Sequence, residues 1–278
     1  MALLLVAAFA CACSEPSPPS ASSSHVAPPA AASAKPSVTP RANPAAIAPA
    51  PQTETAAPDA AAWWQALADG DQTKVASLLV KAPDLLRARN EEHDTCLHVA
   101  ACEQHTGLLE LLLAKGADIE ARGFAGSTPL GSALAHNKPL AAELLIAKGA
   151  DVRTADDNGK TPLLHASTWG HTKIILALLA KGADLNARDN GGDQPIHSAA
   201  RNGRKDTVAL LLDKGVDVNA RSDDGCTPLH CAAERNKAEV VRLLLARGAD
   251  ASIKNRAGKT ALNIAEHEKY AESTALLR

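Results

Sequence analysis

Apolar and polar positions recur along the chain in a pattern that predicts short helices in pairs. In a segment such as TPLLHA (161–166), Thr and Pro open a helix, and Leu and Ala then give it a narrow apolar face. A second apolar segment follows each such opening and is marked by two adjacent leucines. These pairs are Leu111/Leu112, Leu144/Leu145, Leu178/Leu179, Leu211/Leu212 and Leu244/Leu245. The pattern therefore predicts units of two helices, each with one apolar face to bury.

The units recur with a period of 33 residues from about residue 60 onward. Gly-Ala-Asp stands at 116–118, 149–151, 182–184 and 248–250, with Gly-Val-Asp at 215–217. The same step separates Thr95, Thr128, Thr161, Thr227 and Thr260, with Gln194 in the remaining slot. Alanines keep the phase at Ala100, Ala133, Ala166, Ala199, Ala232 and Ala265. A fixed period of this length is typical of a repeat architecture, in which stacked neighbours bury each other's apolar faces.

Glycine precedes the Thr slot by two residues in five of the units, where a tight hairpin turn favours positive φ. These residues are Gly126, Gly159, Gly192, Gly225 and Gly258. His93 occupies the slot in the first full unit, which predicts an altered turn there. The Gly of each Gly-Ala-Asp is expected to end the second helix.

The repeated motif resembles that of the ankyrin repeat, whose Thr-Pro-Leu-His-x-Ala stands complete as TPLHCA at 227–232. Its variants are TCLHVA (95–100), TPLGSA (128–133), TPLLHA (161–166), QPIHSA (194–199) and TALNIA (260–265). The resemblance implies an all-α solenoid of stacked helix pairs with short β-hairpin fingers over residues 59–278. We expect an N-terminal capping repeat at about 60–90, five full repeats at about 91–254 and a C-terminal capping repeat at about 255–278.

Residues 1–13, MALLLVAAFACAC, form an apolar run too short to span a bilayer as a helix. We interpret the run as an export signal with a lipoprotein-like cleavage box, which makes Cys11 or Cys13 the candidate lipidation site. Small residues around both cysteines also fit ordinary signal cleavage. Because no Lys or Arg precedes the run, a different start and a cytosolic protein stay open.

Residues 14–58 hold 11 of the 17 prolines and almost no large apolar side chain. Such a segment buries too little surface to offset its ordering entropy, so the sequence predicts a disordered, partly polyproline-II tether. A tether after a candidate lipidation site would hold a domain away from a membrane. We expect a lipoprotein on the periplasmic side of a bacterial membrane, with a soluble secreted or periplasmic protein as the alternative.

Composition narrows the possible functions. The formal net charge of −2 gives no reason to expect binding to nucleic acid or to an acidic membrane surface. Aromatic residues make up 2% of the chain, which suits stacked helices with small side chains better than an enzyme core. The pairs Cys96/Cys102 and Cys226/Cys231 are too far apart along a helix for a disulfide, so we expect reduced, buried or half-buried thiols.

Several motifs that suggest chemistry have structural explanations. The resemblance implies that His98, His197 and His230 tie the turn of one repeat to the next. NGKTP at 158–162 contains the end of a phosphate-binding loop, but Thr154 stands where that loop needs glycine.

Two charged residues also recur once in each repeat. The acidic series is Asp118, Asp151, Asp184, Asp217 and Asp250, and the basic series is Arg89, Arg122, Arg188, Arg221 and Lys254. Neighbouring carboxylates should lie about 10 Å apart, too far for shared catalysis or metal binding, so local turn hydrogen bonds are expected instead. We expect the basic series, which Ala155 interrupts, to be solvated or to help bind an acidic partner.

The stretch HASTWGH (165–171) departs from its equivalents in the other repeats. The slot of Trp169 holds Glu103, His136, Asn202 and Arg235 elsewhere, which indicates a solvent-facing position. His165 lies four residues earlier on the same helical face, so both side chains are expected to project from the concave side. The candidate partner-binding surface comprises His136, His165, Thr168, Trp169, Arg201 and Asn202. A lone surface Trp is the alternative, whereas a histidine metal site lacks completing ligands.

The sequence thus predicts a monomeric, non-catalytic scaffold that binds a protein partner through its concave face and hairpin tips. We expect no cofactor and no metal, because nothing places a nucleophile beside a base and the repeats occupy the ordered chain. The alternative is a cytosolic ankyrin adaptor or a secreted effector.

Overall fold

The computed structural model describes residues 58–278. The predicted signal, its two cysteines and all but the last residue of the predicted tether lie outside the described residues. The described chain is built from seven pairs of short α-helices, and each pair packs on the next.

The helices form two layers. The first helices of the pairs are α1 Pro58–Ala68, α3 Cys96–Cys102, α5 Pro129–Ala135, α7 Pro162–Trp169, α9 Pro195–Arg201, α11 Pro228–Glu234 and α13 Ala261–His267. The second helices are α2 Gln72–Lys81, α4 Thr106–Ala114, α6 Pro139–Ala147, α8 Thr172–Ala180, α10 Lys205–Asp213, α12 Ala238–Ala246 and α14 Ala271–Leu277. Two 3₁₀ turns, Pro83–Arg87 and Phe124–Gly126, complete the elements. Each helix packs on its partner and on the helix one repeat away in its own layer.

Local signals explain where these helices begin and end. Thr128 precedes α5, and its hydroxyl accepts a hydrogen bond from the N–H of Gly131 at 3.2 Å, while Pro129 fills the first helical position. Helix α7 ends at Gly170, whose φ of 85° is left-handed. The helix start at Thr128 and Pro129 is the one that the sequence predicts.

The alanines and leucines that mark the period form the core. Ala100, Ala133, Ala166, Ala199, Ala232 and Ala265 are fully buried in the first layer. Leu112, Leu145, Leu178, Leu211 and Leu244 are fully buried in the second layer. Because a methyl group fills each alanine position, neighbouring first helices can stack closely.

The loops that precede the first helices differ from the expected β-hairpins. We call them fingers 1 to 6, residues 89–94, 122–127, 155–160, 188–193, 221–226 and 254–259. In each finger one backbone hydrogen bond joins the two arms, such as Asp189 N–H to the carbonyl of Asp193 at 3.0 Å, and a second closes the turn, such as Gly192 N–H to the carbonyl of Asp189 at 2.9 Å. No strand is assigned between residues 58 and 278. The predicted all-α fold of stacked helix pairs is confirmed. The fingers are tight turns without the expected strands, because one bond between the arms is too short a ladder to make a strand.

The turn at His93 keeps the left-handed backbone of the glycine turns, against the prediction of an altered turn. His93 has a φ of 66°, close to the 67° of Gly126 one repeat later. The side chain of Asn90 accepts N–H groups of Glu92 and Asp94 at 3.1 and 2.8 Å. These bonds hold the turn in a conformation that a residue with a Cβ seldom adopts.

The described cysteines agree with the prediction from their spacing. Cys96 and Cys231 are buried thiols, and Cys102 and Cys226 are half-buried. Burial raises the pKa of both Cys96 and Cys231 to about 12, so these two groups are neutral thiols at physiological pH.

Candidate functional site

Three histidines join neighbouring repeats, as predicted. His197 Nδ1 accepts the N–H of Gln194 at 3.1 Å, so its Nε2 carries the proton and donates to the carbonyl of Cys226 at 3.2 Å. His98 and His230 make the equivalent bonds, with Nε2 donating at 3.0 Å to the carbonyls of Ser127 and Lys259. Both ring nitrogens are used within the fold, which leaves these imidazoles no catalytic role.

The environment of these histidines favours the neutral imidazole. Their residues are at most 2% exposed. Burial lowers the pKa of His98, His197 and His230, and this effect outweighs the hydrogen bonds to the charged form. Their pKa values therefore follow from a structural role.

The aspartate series makes the local turn bonds expected for it. Each carboxylate accepts the backbone N–H two residues later, at 2.8 to 3.0 Å. The pairs are Asp118 with Glu120, Asp151 with Arg153, Asp184 with Asn186, Asp217 with Asn219 and Asp250 with Ser252.

The arginines of the basic series are exposed to solvent, as predicted, and they also link the fingers. Each guanidinium donates to the backbone carbonyl 33 residues ahead. The links run from Arg89 to Arg122, from Arg122 to Ala155 at 2.6 Å, from Arg188 to Arg221 at 2.9 Å and from Arg221 to Lys254 at 2.8 Å. We call this set the arginine ladder. The sequence alone could not show it, because the acceptors are backbone atoms.

Trp169 is exposed, in agreement with the polar character of its slot. The residue is 37% exposed and ends helix α7. Its indole N–H donates to the carbonyl of Ala135 in the preceding repeat at 3.3 Å. The ring is thus fixed at one edge and open to solvent on part of its surface.

His165 does not project as its neighbour does. Its Nε2 lies 3.1 Å from Oδ2 of Asp156 in finger 3, and the two side chains are 13% and 10% exposed. Burial would raise the pKa of Asp156, but the bonds from His165 and from the N–H groups of Lys160 and Asn158 lower it. The expected joint projection of His165 and Trp169 is therefore wrong for His165, whose side chain is largely covered and contacts finger 3.

The other predicted residues lie near these two along the first layer and bond within the chain. Thr168 donates to the carbonyl of Leu164 at 3.0 Å, and Asn202 donates to the carbonyl of Ser198 at 2.8 Å. Arg201 Nη1 lies 2.6 Å from Oδ2 of Asp193 in finger 4.

His136 is half-buried at the end of α5, where its Nδ1 lies 2.8 Å from the carbonyl of Ser132 and 3.3 Å from Sγ of Cys102. The predicted surface is accordingly a pre-organised one, with the Trp169 ring as its main open apolar group.

Sequence reasoning missed Phe124, which is 59% exposed in finger 2. Its equivalents are Glu91, Asp157, Asn190, Asp223 and Arg256. An aromatic residue in an otherwise polar slot is the same signal that identified Trp169. The next residue, Ala125, has a φ of 50°, and Asp94 accepts the N–H of Phe124 at 2.8 Å, so this tip is held in an unusual turn.

Between residues 58 and 278, no group of three or more His, Cys, Asp or Glu side chains could hold a metal ion. In the same part of the chain, no helix has the length and apolar character needed to cross a membrane.

Stacked helix pairs joined through their fingers define a helical repeat protein of the solenoid class. A family model described as Ankyrin repeats (3 copies) matches residues 130–222 and 196–278, and an Ankyrin repeat model matches residues 92–124. The chain belongs to the ankyrin repeat family. Domains of this family typically mediate protein–protein interaction and are usually non-catalytic.

A solved structure gives the same fold. The chain is similar to the crystal structure of the human ASB11 ankyrin repeat domain, with a TM-score of 0.69 and 25% sequence identity. The similarity covers 78% of this chain and 97% of that one. A comparison with curated proteins found no match.

Proposed function

We propose that this protein is a non-catalytic scaffold that holds a protein partner against the first-helix layer around Trp169 and against the tip of finger 2. The observation that carries the proposal is Trp169, an aromatic ring exposed in a slot that is polar in every other full repeat. Partner-binding surfaces concentrate their energy in a few aromatic or Arg residues.

The geometry of Trp169 suits such a role. Its N–H is already bonded to Ala135, so contact with a partner would leave no indole donor unpaired. The nearby polar groups of Thr168, Arg201 and Asn202 are also held by bonds within the chain. Little side-chain freedom is therefore lost on binding, which favours affinity.

Replacing Trp169 by Ala should weaken partner binding about tenfold or more, because the substitution removes the apolar anchor. The unfolding free energy should fall by only about 1 kcal/mol, because water can replace the indole at the carbonyl of Ala135. Leu176→Ala is the matched control, since Leu176 is 44% exposed on the second-helix layer.

Membrane extracts would be passed over full-length wild-type, Trp169→Ala and Leu176→Ala baits side by side. We expect the wild type and the Leu176→Ala control to capture a protein that Trp169→Ala does not capture. The Kd of that protein is then measured for each of the three baits. Equal affinity for all three baits would eliminate the Trp169 surface, and a large loss of stability would show that the ring packs internally.

We further propose that the protein is exported and lipid-anchored through Cys11 or Cys13, with residues 14–58 as the tether. The support is the apolar run at 1–13, its cysteines and the proline-rich stretch that follows. We expect the wild-type protein in the membrane fraction and the variant with both cysteines replaced by Ser in the soluble fraction. Mass measurement of the mature N-terminus should show lipidated Cys, whereas an unprocessed chain in the cytosol would favour the adaptor.

A further inference from the structure

The junction between the third and fourth repeats lacks the histidine link between fingers. Leu164 occupies the histidine slot, so no imidazole joins α7 to finger 4. The hydroxyl of Thr161, whose equivalents Thr95 and Thr227 pair with a histidine, is buried without a hydrogen-bond partner in the described chain. The apolar side chain of Leu164 thus stands where, in the repeats of Thr95 and Thr227, a histidine ring meets a threonine hydroxyl.

The same junction also lacks its rung of the arginine ladder. Ala155 has no side chain that could reach the carbonyl of Arg188, whereas Arg122 and Arg188 make the links on either side. The second repeat also lacks the histidine, because Gly131 fills that slot, but there Arg122 still joins finger 2 to finger 3. Among the junctions between fingers 1 and 6, only the one between fingers 3 and 4 lacks both links.

What remains between these two fingers comes from one residue. Asn190 donates its backbone N–H to the carbonyl of Asn158 at 3.0 Å and its side-chain amide to the carbonyl of Asp157 at 2.8 Å. Each finger is instead held to its own first helix, by His165 with Asp156 and by Arg201 with Asp193. These two side-chain contacts therefore lie within repeats and do not cross the junction.

The helix layers are tied more firmly than the fingers. Helices α7 and α9 pack directly on each other, and Arg204 donates to the carbonyl of Thr168 at 3.0 Å. Even so, the buried apolar side chains that contact each other fall into two groups, one ending at Leu178 and the other beginning at Ile196. Partly buried Leu210 packs against the first group from the fourth repeat.

We propose that this junction is a hinge, at which helices α7 and α9 pivot about their packed contact and fingers 3 and 4 separate from each other. Finger 3 moves with α7 through His165, and finger 4 moves with α9 through Arg201. The opening changes the curvature of the layer that carries Trp169 and therefore adapts the binding surface to its partner.

Native-state amide hydrogen exchange tests the hinge in the full-length chain. The N–H groups of Asp157, Asn190 and Asp223 make equivalent finger-to-finger bonds at 2.9 to 3.0 Å, and all three residues are exposed. After correction for intrinsic rates, the Asn190 amide should exchange about tenfold faster than the other two, because local opening breaks only its bond. Equal protection of the three amides would overturn the proposal.

Ala155→Arg restores the missing rung, because the new guanidinium can reach the carbonyl of Arg188. It should slow exchange at Asn190 about tenfold and leave Asp157 and Asp223 unchanged. Ala257→Arg, in exposed finger 6, adds the same charge where the described chain has no following finger, so it should not slow Asn190. A hinge at this position is ruled out if Ala155→Arg leaves Asn190 exchange unchanged, or if both variants slow it equally.

Discussion

Lowering the pH from 7 to 5 should reduce the unfolding free energy of the repeat domain, with a slope of at most about 1.4 kcal/mol per pH unit below about pH 6.5 for each buried histidine link. The groups responsible are His98, His197 and His230, whose pKa values are lowered by burial. A protonated ring would lose Nδ1 as the acceptor of a backbone N–H, as at Gln194.

The direction of the effect follows from proton counts. A histidine in the unfolded chain has a pKa near 6.5, so below that pH the unfolded state binds more protons than the folded state. The stabilisation is fully present above about pH 6.5 and is lost as the pH falls toward the lowered folded-state pKa of each ring. Asp156, whose pKa is also lowered, contributes in a separate window below about pH 4.

Urea unfolding measured by circular dichroism at half-unit steps from pH 7.5 to 5 checks this prediction. His197→Leu is the informative variant, because the third repeat already accommodates Leu164 in that slot. Its slope of stability against pH should be shallower by about one proton. A slope unaltered by the substitution, or a wild type equally stable at pH 7 and 5, would contradict the assignment.

Replacing Trp63 by Ala should lower the unfolding free energy by about 4 kcal/mol, the range for a large aromatic residue removed from a core. Trp63 is fully buried in α1 and packs edge-on against Trp64, with ring centroids 6.5 Å apart. Because α1 and α2 cover one end of the helix stack, the resulting cavity weakens the cap of the whole solenoid.

Two further variants separate packing from polarity at this position. The Trp63 Nε1 atom is buried without a hydrogen-bond partner in the described chain, so Trp63→Phe loses no polar bond and should cost much less than the Ala substitution. Trp64→Ala, at a half-buried position, should also cost less. Urea titration of the three variants checks this order, and a loss for Trp63→Phe as large as that for Trp63→Ala would contradict it.

The helical fold could be predicted almost completely, because its signals are local. A Thr-Pro pair such as Thr128 and Pro129 is a local signal for the start of a helix. A buried alanine such as Ala166 recurs at a fixed step. The turn at His93 escaped prediction because Asn90 makes the same two bonds that Asp156, Asp189 and Asn255 make in the glycine turns, and these bonds keep the left-handed backbone without glycine. A neighbour's hydrogen bonds outweighed the intrinsic preference of the residue.

The candidate site was less predictable, because side-chain direction depends on the adjacent finger. The polar slot correctly indicated that Trp169 is exposed. His165 lies on the same helical face, but its imidazole contacts Asp156 of finger 3. The spacing of residues along a helix does not predict this contact. Phe124 carries the same sequence signal as Trp169, an aromatic residue in a slot that is polar in the other repeats, but in a finger tip and not in a helix.

The arginine ladder has a consequence for how such a chain can change over time. Its acceptors at Arg122, Ala155, Arg221 and Lys254 are main-chain carbonyls, which every amino acid carries. A guanidinium in one unit thus needs nothing specific from the side chains of the next. Whole units can be duplicated, deleted or exchanged while the connection between fingers is kept, and the exposed residues are left to diversify independently.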